Sequence, residues 1–320
     1  MIYQQIDGLD KPLARVIQGT IMLSRDRLEE GFELLDGVSE HGGTTFDTAH
    51  GYGGGDADRV LGLWMEARGN RDRVVIVGKG CHHNVDRRRV TPYDLASDLM
   101  DTLARLRSDH VDLYLLHRDD PSLPVGPIMD ALADHQEAGR IRAFGGSNWS
   151  PRRIQEANAY AEEHGLPPMR ASSPNFSLAV QRREPWAECL SISGPDGAQD
   201  RDWYRLTRMP LLVWSSLAGG FFSGALRRDN LDTFTDYYMR LSAETYGTED
   251  NFRRYDAANA IAGARGLSVA TVALAYLFGT GMNVFPLVGA RTVEEFAAST
   301  RAAELDLSAE EMAALELRSA

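Results

Sequence analysis

Cysteine is almost missing from this sequence. Cys81 and Cys189 are the only two in 320 residues, too few for a disulfide framework and without the CxxC spacing of a metal site. A thiol two residues after Lys79 would be reactive if exposed, but burial as a small apolar side chain is the expectation for Cys81. No stretch approaches ~18 uninterrupted apolar residues, so no membrane span is expected. The segment Met1–Asp7 is neither basic nor strongly apolar, so no signal peptide is visible and a reducing, cytoplasmic setting is the expectation. Basic residues are in deficit, 34 Lys and Arg against 46 Asp and Glu for a formal net charge of -12. That balance argues against unassisted binding to nucleic acid or an anionic membrane. A GxGxxG turn after the first strand is also missing. Gly53-Gly54-Gly55 follows the second strand with the wrong spacing, which counts against a doubly wound dinucleotide-binding sheet. No fixed-period repeat or low-complexity segment stands out.

What is present is alternation. After a short hairpin within Ile2–Ala14, short apolar β-branched runs alternate with amphipathic stretches. Strands are expected at Arg15–Gln18, Thr44–Ala49, Val74–Lys79, Val111–His117, Ile141–Gly146, Met169–Phe176, Leu211–Ser215 and Asn283–Val288. Helices are expected at Arg25–His41, Asp56–Arg68 (with Val60, Leu61, Leu63 and Trp64 inward), Thr91–Arg107, Pro127–Gly139, Pro151–His164 and Thr292–Ala303. Ser150 and Thr91-Pro92 read as helix starts, and Ser308 with Glu311 forms a capping-box pattern opening a last helix over Ser308–Leu317. Eight strands with no Gly/Pro/Ser-rich linker predict one domain over 1–320, a single parallel (β/α)8 (TIM) barrel. Two long segments, Ala179–Met209 and Gly220–Asn251, read as loops over the C-terminal mouth, with Phe221, Phe222, Tyr237, Tyr238 and Tyr246 in the second as pocket wall.

Strand ends in such a barrel meet at one crevice. The run Thr44-Thr45-Phe46-Asp47-Thr48-Ala49-His50-Gly51-Tyr52-Gly53 empties a strand into a loop carrying Asp47 and Tyr52. Lys79 and His117 end the next two strands. A carboxylate, a phenol, an amine and an imidazole at three strand ends make a proton-transfer set.

These residues resemble the FDTAxxYG stretch, strand-end lysine and strand-end histidine of the aldo-keto reductases. The resemblance covers nearly the whole chain and implies a catalytic tetrad of Asp47, Tyr52, Lys79 and His117. It also implies an NAD(P)-dependent oxidoreductase acting on the carbonyl or alcohol of a small molecule, with NADP(H) or NAD(H) as cofactor. Tyr52 would be the general acid/base, its pKa of about 10 lowered by Lys79. Asp47 would keep Lys79 charged, and His117 would position the carbonyl as a neutral imidazole. Gly19-Thr20 and the turn Gly146-Ser147-Asn148-Trp149 are similar to nicotinamide-end motifs of the family. Ser173 stands where a Gln is usual and Trp214 where a stacking Tyr is usual. The turn from Ser215 through Leu217 and Gly219 to Gly220 would cradle the pyrophosphate. Gly289 and Arg291 resemble the adenosine-phosphate site at a helix start. Glu295 falls where the family has a basic residue for the 2′-phosphate, and Ala298 and Ser299 fall at its Glu-Asn pair, which implies weak discrimination between the two cofactors.

A cofactor-binding regulatory subunit resembling the potassium-channel β subunits is the alternative reading. His50, His82 and His83 raise a metallohydrolase as a third, but the HxH pair of barrel metal sites is missing from the first strand, so no metal is expected. The rim reading mixes His50, His82, His83, Arg118 and Asp119 with Trp149, Phe221 and Phe222, and a polar substrate such as a sugar or sugar-derived ketone fits it best.

Overall fold

The structure, a computed structural model, describes residues 1–318. A two-stranded antiparallel hairpin comes first, β1 (Tyr3–Gln4) with β2 (Leu13–Ala14). The alternation then runs β3 (Ile17–Gly19), α1 (Leu28–Glu40), β4 (Thr45–Asp47), α2 (Asp56–Arg68), β5 (Val75–Gly80), α3 (Pro92–Leu106), β6 (Val111–Leu116), α4 (Gly126–Glu137), β7 (Ile141–Ser147), α5 (Pro151–His164) and β8 (Ala171–Ser173). It continues with α6 (Ala198–Thr207), β9 (Leu211–Val213), α7 (Tyr237–Tyr246), α8 (Glu249–Arg265), α9 (Val269–Gly279), β10 (Val284–Val288), α10 (Val293–Thr300) and α11 (Ala309–Leu315). Eight parallel strands close into a barrel in the order β10-β3-β4-β5-β6-β7-β8-β9, the (β/α)8 architecture expected from the alternation.

Within this fold the chain forms two compact units. The first is Met1–Ser173 with Gly289–Val293; the second is Pro174–Val288 with the residues from Glu294 onward. In the first unit the barrel strands are buried on both faces: every residue of β5 and β6 is buried, as parallel strands covered by helices require. The helix starts read from sequence are made. Thr91 accepts from Asp94 N–H and Ser150 from Arg153 N–H, with Pro92 and Pro151 just behind them. In α2, Val60, Leu61 and Trp64 face inward as expected; Met65 is buried beside them, while Leu63 is only half-buried.

The second unit departs further from the reading. Ala179–Met209 carries α6, which has a single buried residue, Tyr204, and therefore little apolar stripe to find. Phe221, Phe222 and Tyr246 are buried, whereas Tyr237 and Tyr238 are about half exposed. The Phe221 ring lies 5.4 Å from Phe222 and 5.1 Å from Phe252, an aromatic cluster internal to this unit. Ser308 completes its capping box at α11. Among the described residues no single helix is long and apolar enough to cross a membrane.

Candidate active site

Register places the functional side chains of the first unit at one level. Gly19 pairs with Asp47, Asp47 with Val77, and Lys79 with Leu115. Beyond the strands the same ladder continues: Thr48 N–H donates to Val77 O (2.8 Å), His50 N–H to Lys79 O (2.8 Å) and His117 N–H to Gly80 O (2.8 Å). The loop after β4 then turns through Gly53, Gly54 and Gly55, all in the left-handed region at φ of 56°, 62° and 90°. Only glycine adopts three such conformations in a row cheaply, and this turn brings the Tyr52 phenol back over β5.

Four groups meet there. Lys79 Nζ donates to Asp47 Oδ1 at 2.6 Å, to Thr48 O at 3.0 Å and to Tyr52 Oη at 3.4 Å. The ammonium is also 4.9 Å from the centre of the Tyr52 ring. His117 stands edge-on to Tyr52, ring centres 5.8 Å apart, and edge-on to His82 at 4.8 Å. Asp47 and Lys79 are buried; Tyr52 and His117 are half-buried.

The electrostatics follow from burial and the Asp47–Lys79 pair. Burial is the largest single effect on Lys79 and opposes its charge, but Asp47 and Tyr52 together outweigh it and hold the amine above its ordinary pKa. Burial likewise pushes Asp47 up against the pull of Lys79. His117 is driven well below the ordinary imidazole range, first by burial and then by Lys79, His82 and Arg118, so it is neutral at physiological pH. Tyr52 departs from the expectation. Lys79 does pull the phenol down, but burial is the larger effect and Asp47 adds to it, so the net direction is upward. Lys79 offsets part of a burial penalty rather than making Tyr52 a strong acid.

Residues beyond the four hold this geometry. Asp58, on the buried face of α2, accepts from Thr48 Oγ1 (2.6 Å) and Thr102 Oγ1 (3.1 Å). It thereby fixes the residue whose carbonyl receives Lys79. A carboxylate sharing a face with Leu61, Gly62 and Met65 at helical spacing is the signal that would have found it. The loop between β5 and α3 is clamped by arginines. Arg89 pairs with Asp98 (2.6 Å) and Asp94 (3.0 Å), and Arg87 with Asp94 (2.7 Å). Cys81 is buried in this loop, donates its N–H to Asp98 (2.8 Å), and its thiol is pushed far up by burial. His50 faces α3, 3.2 Å from Asp101 and 3.7 Å from Asp98. Among the described residues no three His, Cys, Asp or Glu side chains are placed to hold a metal ion.

The nicotinamide-end residues of the sequence reading fall on the same rim of the first unit. Thr20 is buried and donates its hydroxyl to Asp47 O at 2.9 Å, next to Gly19. Ser147 Oγ donates to Ser173 O (3.0 Å), and Asn148 Nδ2 to His117 O (3.1 Å) and Ser147 Oγ (3.3 Å). Asn148 holds a φ of 61°, and a Cβ on Gly146 would meet the Trp149 ring at 2.6 Å. Trp149 itself is fully buried and donates its indole N–H to Arg118 O at 3.0 Å. It props the strand end from behind, and with Phe221 and Phe222 also buried the aromatic half of the expected rim is removed. The Ser173 hydroxyl is buried without a protein partner, an unfilled polar position of the kind a ligand amide takes. Gly289 and Arg291 are both exposed, with Gly289 approached by Met22.

In the second unit Trp214 is half-buried, with its indole nitrogen lacking a partner. Ser215, Ala218, Gly219 and Gly220 after it all have positive φ, 49°, 53°, 61° and 91°. Within the turn Ala218 N–H donates to Ser215 O (2.7 Å) and Gly220 N–H to Leu217 O (3.1 Å). Leu217 is half-buried within it. Glu295 is exposed, whereas Ser299 is buried and donates its hydroxyl back to Glu295 O at 2.8 Å. That bond leaves the Ser299 hydroxyl committed to its own helix.

Comparison with known proteins gives the family. The profile of the Aldo/keto reductase family matches residues 15–317. The norsolorinic acid reductase stcV of Emericella nidulans is 27% identical over 302 residues, covering 90% of this chain and 71% of that protein. The probable aryl-alcohol dehydrogenase AAD4 of Saccharomyces cerevisiae is 25% identical over 303 residues, 90% of this chain and 87% of that protein. Among solved structures, the thermostable aldo-keto reductase Tm1743 bound to the inhibitor epalrestat superposes with a TM-score of 0.74 at 24% identity, covering 99% of both chains. An aldo-keto reductase from Klebsiella pneumoniae in complex with NADPH gives 0.71 at 23%, covering 99% of this chain and 95% of that one. With the barrel, the strand-end set and a family match spanning almost its full length, the chain belongs to the aldo/keto reductase family of oxidoreductases.

Proposed function

We propose that this protein is a nicotinamide-dependent carbonyl reductase, running in reverse as an alcohol dehydrogenase, with Tyr52 as the proton donor to a small polar substrate. The observation that carries it is the Asp47–Lys79–Tyr52 chain, 2.6 and 3.4 Å in its two links, beside a neutral His117. Bound nicotinamide supplies the hydride chemistry. The chain's own residues do the rest. His117 donates a hydrogen bond to the carbonyl oxygen and fixes it beside the phenol. Tyr52 gives that oxygen a proton, and Lys79, held charged by Asp47, steadies the tyrosinate left behind.

The partnerless Ser173 hydroxyl, with Ser147 and Asn148 around it and Gly19 and Thr20 nearby, fits the carboxamide end of the cofactor. Trp214 as stacking face, the Ser215–Leu217–Gly219 turn for the pyrophosphate, and Gly289 with Arg291 for the adenosine phosphate complete the assignment by family resemblance. Glu295 stands as a specificity element against the 2′-phosphate, in a family where NADPH is bound by at least one structural neighbour. The polar character of the substrate rests on burial of Trp149 within the first unit, which leaves the His82 imidazole and the Arg118 guanidinium by His117. A sugar-derived carbonyl compound suits them better than a large apolar one.

The test is a panel of aldehydes and ketones, including activated aldehydes and open-chain sugar derivatives, followed by the absorbance of either reduced nicotinamide. Turnover of polar carbonyls is expected. Cofactor binding without oxidation of the reduced form across the panel would overturn the proposal.

A further inference from the structure

The run His117-Arg118-Asp119-Asp120 follows β6. Its two carboxylates are both engaged by other arginines: Asp119 by Arg153 at 2.9 Å and Asp120 by Arg88 at 3.0 Å. Arg118 is left over. It is only 5% exposed, yet among the described residues no carboxylate pairs with it. Its one side-chain hydrogen bond runs from Nη1 to His117 O at 3.0 Å. A guanidinium carries five N–H donors in a planar fork, and a buried cation without a counter-charge is costly to keep.

Its surroundings say where the charge acts. Arg118 lowers the pKa of Tyr52, His117 and His82, groups from three different loops. Nη1 lies 3.0 Å from the carbonyl oxygen of His117, whose ring stands edge-on to Tyr52 and His82, so the cation is placed beside that cluster. Its backbone is pinned by the Trp149 indole (3.0 Å) and by the Asn148 amide on the preceding carbonyl (3.1 Å). A buried guanidinium on a backbone held in this way, with most of its N–H donors uncommitted, matches a carboxylate bidentately.

We infer that Arg118 is the substrate's carboxylate site, so that the enzyme's carbonyl substrate carries a carboxylate within a few bonds of the reducible group. The inference rests on the reductase reading and narrows its substrate class to oxo acids, sugar-derived ones included. His82 stands edge-on to His117 at 4.8 Å, in the same ring cluster.

The experiment compares the ortho, meta and para formylbenzoates with their methyl esters in the cofactor-loaded protein, for wild type, R118M and R118K. A charge-assisted pair is worth about 10- to 100-fold. At least one wild-type acid should exceed its ester by that factor in kcat/KM, carried by KM. In R118M the acid-to-ester ratio should fall to about one whatever the absolute rates, with R118K between. Esters equal to or better than acids throughout, or a ratio that survives in R118M, overturns the inference and leaves the reductase reading standing. If no aldehyde is turned over, the reductase reading fails, and thermal shift decides Arg118: benzoate, not benzamide, should raise the melting temperature of wild type alone. Weakened cofactor Kd in R118M with an unchanged ratio assigns the charge to a cofactor phosphate and also overturns the inference. If R118M does not fold, R118K and the wild-type benzoate–benzamide pair carry the test.

Discussion

Tyr52 is pulled two ways, and the stronger pull decides how the protein should respond to pH. Burial and Asp47 push the phenol above its ordinary value while Lys79, 3.4 Å away, pulls it down. Reduction needs the protonated phenol, so its rate should hold through neutral pH and fall only as pH rises through the elevated Tyr52 pKa. Alcohol oxidation needs the tyrosinate and should rise over that same interval. Lys79→Met removes the downward pull, and the limb must therefore move further up in any activity that remains. The same change strands Asp47, 3% exposed, at a cost of about 3–5 kcal/mol for an unpaired buried charge. Asp47→Asn combined with Lys79→Met should restore melting temperature without restoring rate. An unmoved pH profile in the single variant would show that Lys79 acts on structure alone.

At the scale of elements, the Cys81–Thr91 loop owes its place to Arg89, which bridges Asp94 and Asp98, two carboxylates each 2% exposed at the side chain. Arg89→Met should lower stability by about 3–5 kcal/mol by the same argument, read as the urea midpoint, and raise KM because His82 rides on this loop. Burial alone would raise the Asp94 pKa, but its hydrogen bonds and Arg89 outweigh burial and lower it. A lowered folded-state value means stability that is present above about pH 3.8 to 4 and lost as pH falls through the depressed pKa. Asp94→Asn should therefore flatten the acid limb of the stability profile; an unchanged limb would remove this clamp from the account. None of this was legible in the sequence. Arg87, Arg88 and Arg89 look like a solvated charge run, and only the fold shows that the carboxylates answering them lie inside. That Asp47, Tyr52, Lys79 and His117 come together was legible because strand ends are marked by composition and a barrel gathers them. The direction of the Tyr52 shift was not, because burial is a property of packing.

For the molecule as a whole, eight short β-branched runs sufficed to announce the barrel, since parallel strands covered on both faces leave an unambiguous apolar signature. The helices α8 and α9 went unread for opposite reasons. α9 is buried at seven consecutive positions, Thr271–Leu277, so it has no polar face to set a period. α8 has only four buried residues in 17, so its apolar stripe is faint. Trp149 was misread as rim because its partner, the Arg118 carbonyl, belongs to a distant loop. Cofactor choice is likewise a property of the assembled protein. On the proposed cofactor assignment Glu295 would repel a 2′-phosphate and Arg291 would attract one, so kcat/KM for the two reduced cofactors should agree within about a hundredfold, under ~3 kcal/mol. Glu295→Arg should shift preference toward the phosphorylated form. A wild-type preference for that form of a thousandfold or so would instead make Arg291 the phosphate ligand.

The central claim is that Tyr52 delivers the proton, and one comparison addresses it: turnover of the best carbonyl substrate by wild type and by Tyr52→Phe at saturating cofactor. The ring is kept and only the hydroxyl is lost, so fold and cofactor Kd should be unchanged. General acid catalysis of this kind is worth about 10²–10⁴-fold, and kcat should fall by that much. Retention of more than about a tenth of the wild-type kcat, a loss well short of that range, would contradict the account.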